Sequence, residues 1–195
     1  MKIFPFVLTL ALTISSWADS PLTSSEIWTA YQDVPEVMTA HDIERLNTKL
    51  AYYLLSSAPL DKKAAVVNAL SWNFNGKQNA PLFLEVAGLK YKTADPDQIK
   101  ARLKPDERFC LGYLMALDNY FEVKPALLTL RQARRQLPNS FTVAIVTELV
   151  EAQHNFAAQK LWQYVEPVFA DQHLRQDLRP KARKVIYDYM ALYRK

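Results

Sequence analysis

The chain has 195 residues, half of them hydrophobic, and a formal net charge of +4. Its single cysteine, Cys110, excludes an internal disulfide. Only three glycines, against a usual ~7%, argue against a sheet of tight hairpins, whose favoured turns need positive φ.

The first element is a targeting segment. Met1-Lys2 is followed by an apolar run from Ile3 to Ile14 and then by Ser15-Ser16-Trp17-Ala18. A positive start, a hydrophobic middle and a small-x-small end make a secretory signal peptide, with cleavage expected after Ala18. The run is too short to span a bilayer, which needs ~20 residues, and no later stretch approaches that length. The expected address is an exported one, a bacterial periplasm, with no transmembrane segment in the mature chain. Nucleic acid is not an expected partner there. Residues 19–195 are long enough for a single helical domain with its own core.

The remaining elements read as helices. Thr23-Ser24-Ser25 caps a short one with Ile27, Trp28 and Tyr31, ended near Pro35. Thr39 caps a second, whose apolar face is Ile43, Leu46, Leu50, Tyr53 and Leu54 at spacings of three and four. In this reading His41-Asp42-x-Glu44 occupies a first turn, where acids suit the helix dipole. Asp61 caps a third helix with Ala64, Ala65, Val67, Leu70 and Trp72 inward, and Asn75-Gly76 forms a loop. Residues 81–91 fit a strand or a helix, and a helix is preferred. Helices over 96–103, 105–121, 124–137, 140–154, 156–165 and 178–194 complete the chain. Pro96, Pro105, Pro125 and Pro180 open theirs, where a missing N–H costs nothing. The fold class is all-α, built from antiparallel helix hairpins stacked as an α-α superhelix, with an irregular helical bundle as the alternative.

Two helix pairs between residues 105 and 172 follow each other at roughly a ~34-residue period. Ala126, Leu130, Ala133 and Pro138 form a small–large–small–proline series that resembles a tetratricopeptide repeat. His154-Asn155-Phe156 is similar to the turn of such a repeat. Leu114, Glu148, and Gln159 or Lys160 depart from it, standing where small residues belong. The resemblance covers about a third of the chain. It implies a concave surface that binds protein or peptide, and no catalysis.

The chemistry-bearing residues are sparse. There is no Gly-rich phosphate loop, no nucleophile elbow and no His-Glu-x-x-His. Cys110 reads as a small buried hydrophobe, and Asp171-Gln172-His173 as a surface loop, so no metal or other cofactor is expected. Asp118 and Glu122, four apart, read as a solvated face. Arg131, Arg134 and Arg135 lie together near a helix end, where a guanidinium cluster can grip a carboxylate or phosphate. Trp162 and Tyr164 are the aromatic candidates for the same surface, although aromatics at helical spacing are more often core.

Three functions fit, in this order. The first is a non-catalytic module binding a protein or peptide of the cell envelope. The second is an inhibitor or immunity-type protein that blocks a secreted enzyme. The third is a cell-wall hydrolase, which needs a cleft carboxylate with a raised pKa.

Overall fold

The computed structural model describes residues 20–157 and 160–194. The signal segment with its cleavage point, and Gln159, lie outside the described residues. Within them the fold is all-α, with ten α-helices, a short 3-10 turn (Ile27–Ala30) and no strand.

The helices are α1 (Pro35–Ile43), α2 (Thr48–Leu54), α3 (Leu60–Ala69), α4 (Asn79–Tyr91) and α5 (Pro96–Arg102). They are followed by α6 (Pro105–Asp118), α7 (Lys124–Gln136), α8 (Phe141–His154), α9 (Leu161–Ala170) and α10 (Pro180–Ala191). Proline sits in the first turn of α5, α6, α7 and α10, as its spacing predicts. Residues 81–91 are helical, inside α4.

Several boundaries differ from expectation. Pro35 begins α1 instead of ending a helix. Thr39 is not a cap: it lies inside α1, and its hydroxyl donates back to the Pro35 carbonyl at 2.9 Å. His41 therefore occupies the last turn of α1, where a basic residue suits the dipole. The helix breaks at Glu44, which is left-handed at φ 48°. The Asn47 side chain then caps α2 by accepting from the Leu50 N–H at 2.9 Å. Ile43 is accordingly 37% exposed, while Leu46, Leu50 and Leu54 are buried. Asp61 lies in the first turn of α3 and accepts the Tyr31 hydroxyl at 3.0 Å. The helix expected over 156–165 is α9, displaced toward the C-terminus. Its inward stripe, Leu161, Trp162, Val165 and Val168, runs on past Pro167.

The core is one continuous cluster from Leu22 to Met190. At its centre is α3, buried on all sides from Lys63 to Ala69 and packed on α1, α2, α6, α8 and the 3-10 turn. Helices α6 to α9 pack each on the next. The most extensive helix contact joins α6 to α7, where a Cβ on Gly112 would stand 2.8 Å from Leu130 Cγ. The two ends of the described chain meet. Helix α10 packs on the 3-10 turn, and the Arg179 guanidinium donates to the Ala30 carbonyl at 3.0 Å and pairs with Asp33.

Two ion pairs penetrate this core. The fully buried Lys63 ammonium donates to Asp106 at 2.5 Å and to the Ser56 carbonyl at 2.6 Å. The fully buried Glu107 carboxylate accepts from Lys90, from the Tyr91 hydroxyl and, at 3.0 Å, from the Lys104 N–H. Every group at these pairs has a partner, which is the condition for burying charge. Burial, reinforced by the Glu107 carboxylate, holds the Tyr91 hydroxyl well above its ordinary range.

Candidate functional site

Helix α7 is strongly amphipathic: Ala126, Leu127, Leu130 and Ala133 face the core, and its basic residues are left outside. Arg131, Arg134 and Arg135 therefore share one surface. The turn through Pro138 brings α8 back against α7, and α9 follows on α8. Between them lies a groove of about 640 Å³, lined by the three arginines, Pro138, Thr147, Glu148, Glu151 and Tyr164.

The groove is mixed in charge. Arg131 pairs with Glu151 at 2.6 Å, and Arg134 pairs with Glu148. The arginine pair and the glutamate pair are each spaced i, i+3, so the two helices match in antiparallel register. Burial raises the Glu148 carboxyl above its ordinary range, with the Arg134 guanidinium opposing the shift. Thr147 is 2% exposed, and its hydroxyl proton goes to the Val143 carbonyl at 2.7 Å, so it has no donor to offer a ligand. Arg135 is exposed, and among the described residues it forms no ion pair or hydrogen bond; the half-buried Tyr164 hydroxyl likewise has no partner there. The groove thus offers one free guanidinium and one free phenol beside two arginines already fixed in orientation.

Four of the five residues predicted for a binding surface are brought together here. Trp162 is not with them. It is 7% exposed and turned into the contact between α9 and α10, edge-on to Tyr187 at 5.4 Å, with Arg194 over its ring at 5.3 Å. Glu148 and Glu151 were missed. The readable signal was Glu148, a carboxylate inside the otherwise apolar run of α8, opposite a basic helix of equal spacing.

The other candidates divide differently. Cys110 is fully buried, and that burial pushes its thiol up to about 12, so it is an inert core group. His173 sits in a turn, its N–H donating to Asp171 Oδ1 at 2.8 Å. No group of three metal-binding side chains occurs among the described residues. The expectation of a solvated face at Asp118 is overturned: this residue is 8% exposed and accepts the Ala80 N–H at 2.6 Å, closing the first turn of α4 from outside. A larger depression between α4 and α5, about 770 Å³, is walled mainly by aliphatic side chains, with two charged lining residues, Glu85 and Lys92, against five in the α7–α9 groove.

Comparison with protein-family models, with curated proteins and with solved structures gives no match to this chain.

Proposed function

We propose that this chain is an exported, non-catalytic helical module that binds another protein or peptide of the cell envelope through the α7–α9 groove. The export part rests on the N-terminal sequence pattern. The observation that carries the binding part is the free Arg135 guanidinium and Tyr164 phenol, set beside the oriented Arg131 and Arg134. A planar guanidinium with no internal partner is suited to a carboxylate, which it holds through two parallel hydrogen bonds. The favoured ligand is therefore a peptide bearing an acidic side chain or its terminal carboxylate.

Selection of a displayed random-peptide library on the protein tests this. Acidic peptides are expected to be enriched, and Arg135→Glu should weaken them about tenfold or more, the scale of one charge-assisted contact of ~1.5–3 kcal/mol. Tyr164→Ala should weaken them less. Failure to enrich any peptide, or enriched peptides that bind both variants as tightly as the parent, overturns the proposal.

A further inference from the structure

A second, smaller site lies away from the groove and shares no lining residue with it. A cleft of about 100 Å³ opens where the 3-10 turn, the end of α1 and the residues after α3 converge, lined by Glu26, Trp28, His41, Glu44, Ser71 and Trp72 among others.

Its backbone is unusual. Two of the three non-glycine residues with positive φ in the described chain, Glu44 at 48° and Ser71 at 59°, stand on this one cleft. Such conformations cost ~1–3 kcal/mol each and persist only where the surroundings enforce them. The enforcing group is Lys77. Its ammonium donates to the Glu44 carbonyl at 2.6 Å and also to the Leu70 carbonyl, fastening the two corners together.

Its floor is closed. The buried Asn68 accepts from the Trp28 N–H at 3.0 Å and donates to the Ser25 carbonyl and to the Tyr113 hydroxyl, leaving nothing to offer a ligand. Two carboxylates are among its free groups. Neither the Glu26 nor the Glu44 carboxylate accepts a hydrogen bond or forms a salt bridge among the described residues. Lys77 feels the Glu44 charge, but two of its three ammonium protons go to backbone carbonyls and it forms no salt bridge with that carboxylate. The Trp28 indole is fixed by stacking on His41 at 3.9 Å, and Trp72 by contact with Tyr120 at 4.5 Å.

We propose that this cleft binds an organic ammonium ion, held by the Glu26 and Glu44 carboxylates and by the indoles of Trp28 and Trp72. Unpaired carboxylates draw in positive charge, and indole faces attract a cation more strongly than any other side-chain ring. The volume suits a compact head group. Two sources share that chemistry: a small free amine and the end of a lysine side chain on a partner.

The test is titration of protein carrying ¹⁵N-labelled tryptophan, followed by the indole N–H signals, with tetramethylammonium, n-butylammonium and Nα-acetyl-lysine methylamide. n-Butanol is the uncharged control. Saturable shifts of the Trp28 and Trp72 signals with the cations are expected, with the Trp162 signal unmoved. Tighter binding of the lysine derivative than of n-butylammonium points to a partner's lysine, and the reverse to a free amine. Glu26→Gln and Glu44→Gln should each weaken binding about fivefold. An unshifted Trp162 signal in the ligand-free variants confirms that they remain folded. The proposal is overturned if the cations cause no saturable shift, if n-butanol shifts the two signals equally, or if neither Glu→Gln change weakens binding.

Discussion

Two regions of this molecule pair lysine or arginine with carboxylates across helices, and they do so for opposite ends. Around the start of α6, Lys63–Asp106 and Lys90–Glu107 are sunk in the core, each pair with one member fully buried. Around α7 and α8, Arg131–Glu151 and Arg134–Glu148 remain partly wet, with both arginine side chains more than a third exposed. In the first region each charged group is answered by a partner within the fold. In the second the pairing leaves Arg135 over. The depth of a charge pair, more than its presence, separates a fixed internal strut from a surface that can still bind.

Glu107→Ala tests the depth argument most severely. It leaves Lys90 and the Tyr91 hydroxyl facing an uncompensated site, with an expected loss of about 3–5 kcal/mol in urea unfolding. A loss below ~1 kcal/mol, the range of exposed pairs, would erase the distinction between the two regions.

Gly112→Ala probes the joint between the regions, since α6 carries the buried carboxylates and α7 the arginines. The added methyl would meet Leu130 Cγ at 2.8 Å and the Leu130 backbone N at 3.1 Å. A backbone atom cannot step aside as a side-chain tip can. The crowding cost of about 1–3 kcal/mol should therefore exceed the ~1 kcal/mol that alanine gains in helix propensity. Net stabilisation in thermal melts would show that the two helices can part.

A double-mutant cycle on Arg131 and Glu151 should return a coupling of only ~0.2–1 kcal/mol, shrinking in high salt. Coupling that salt leaves untouched would place this pair with the buried ones.

Asp118 supplies a third situation, a buried carboxylate answered by backbone N–H groups and not by a paired cation. Burial raises its carboxyl above the ordinary range, against the opposing Ala80 N–H. The folded protein thus favours the protonated acid. Its contribution to stability is complete below the unfolded value of ~3.9 and is lost as pH rises through the folded value. Asp118→Asn keeps an acceptor for Ala80 and abolishes the titration. The stability–pH curve of that variant should be flatter above pH ~4 in urea unfolding series. A slope equal to that of the parent would assign the titration to another group.

Much of the helical layout was legible because proline and Asp-Pro starts act locally: α5, α6, α7 and α10 begin near the expected residues. What escaped depends on partners distant in sequence. Glu44 gives no local sign of a left-handed turn; the Lys77 ammonium, 33 residues on, helps to fix it. Thr39 satisfies the rule for a cap, yet Pro35 four residues earlier had already started the helix. At the candidate site, the arginine cluster was visible as spacing on one helix. Its neutralisation by Glu148 and Glu151 needed α8 to fold back at a specific register. Trp162 and Tyr164 look alike in sequence, but two residues along a helix turn the side chain through ~200°, sending one inward and the other to the groove.

The meeting of Arg179 with Ala30 and Asp33 bears on the order in which the molecule can be completed. These contacts bridge almost the whole described chain, 149 and 146 residues apart in sequence. Contacts of such separation form late, because the loop between them must first be closed. The N-terminal turn therefore lacks one wall until α10 has been made and has folded back onto it. Until then the apolar residues of that turn stay exposed, as in any partly folded chain, and within reach of chaperones.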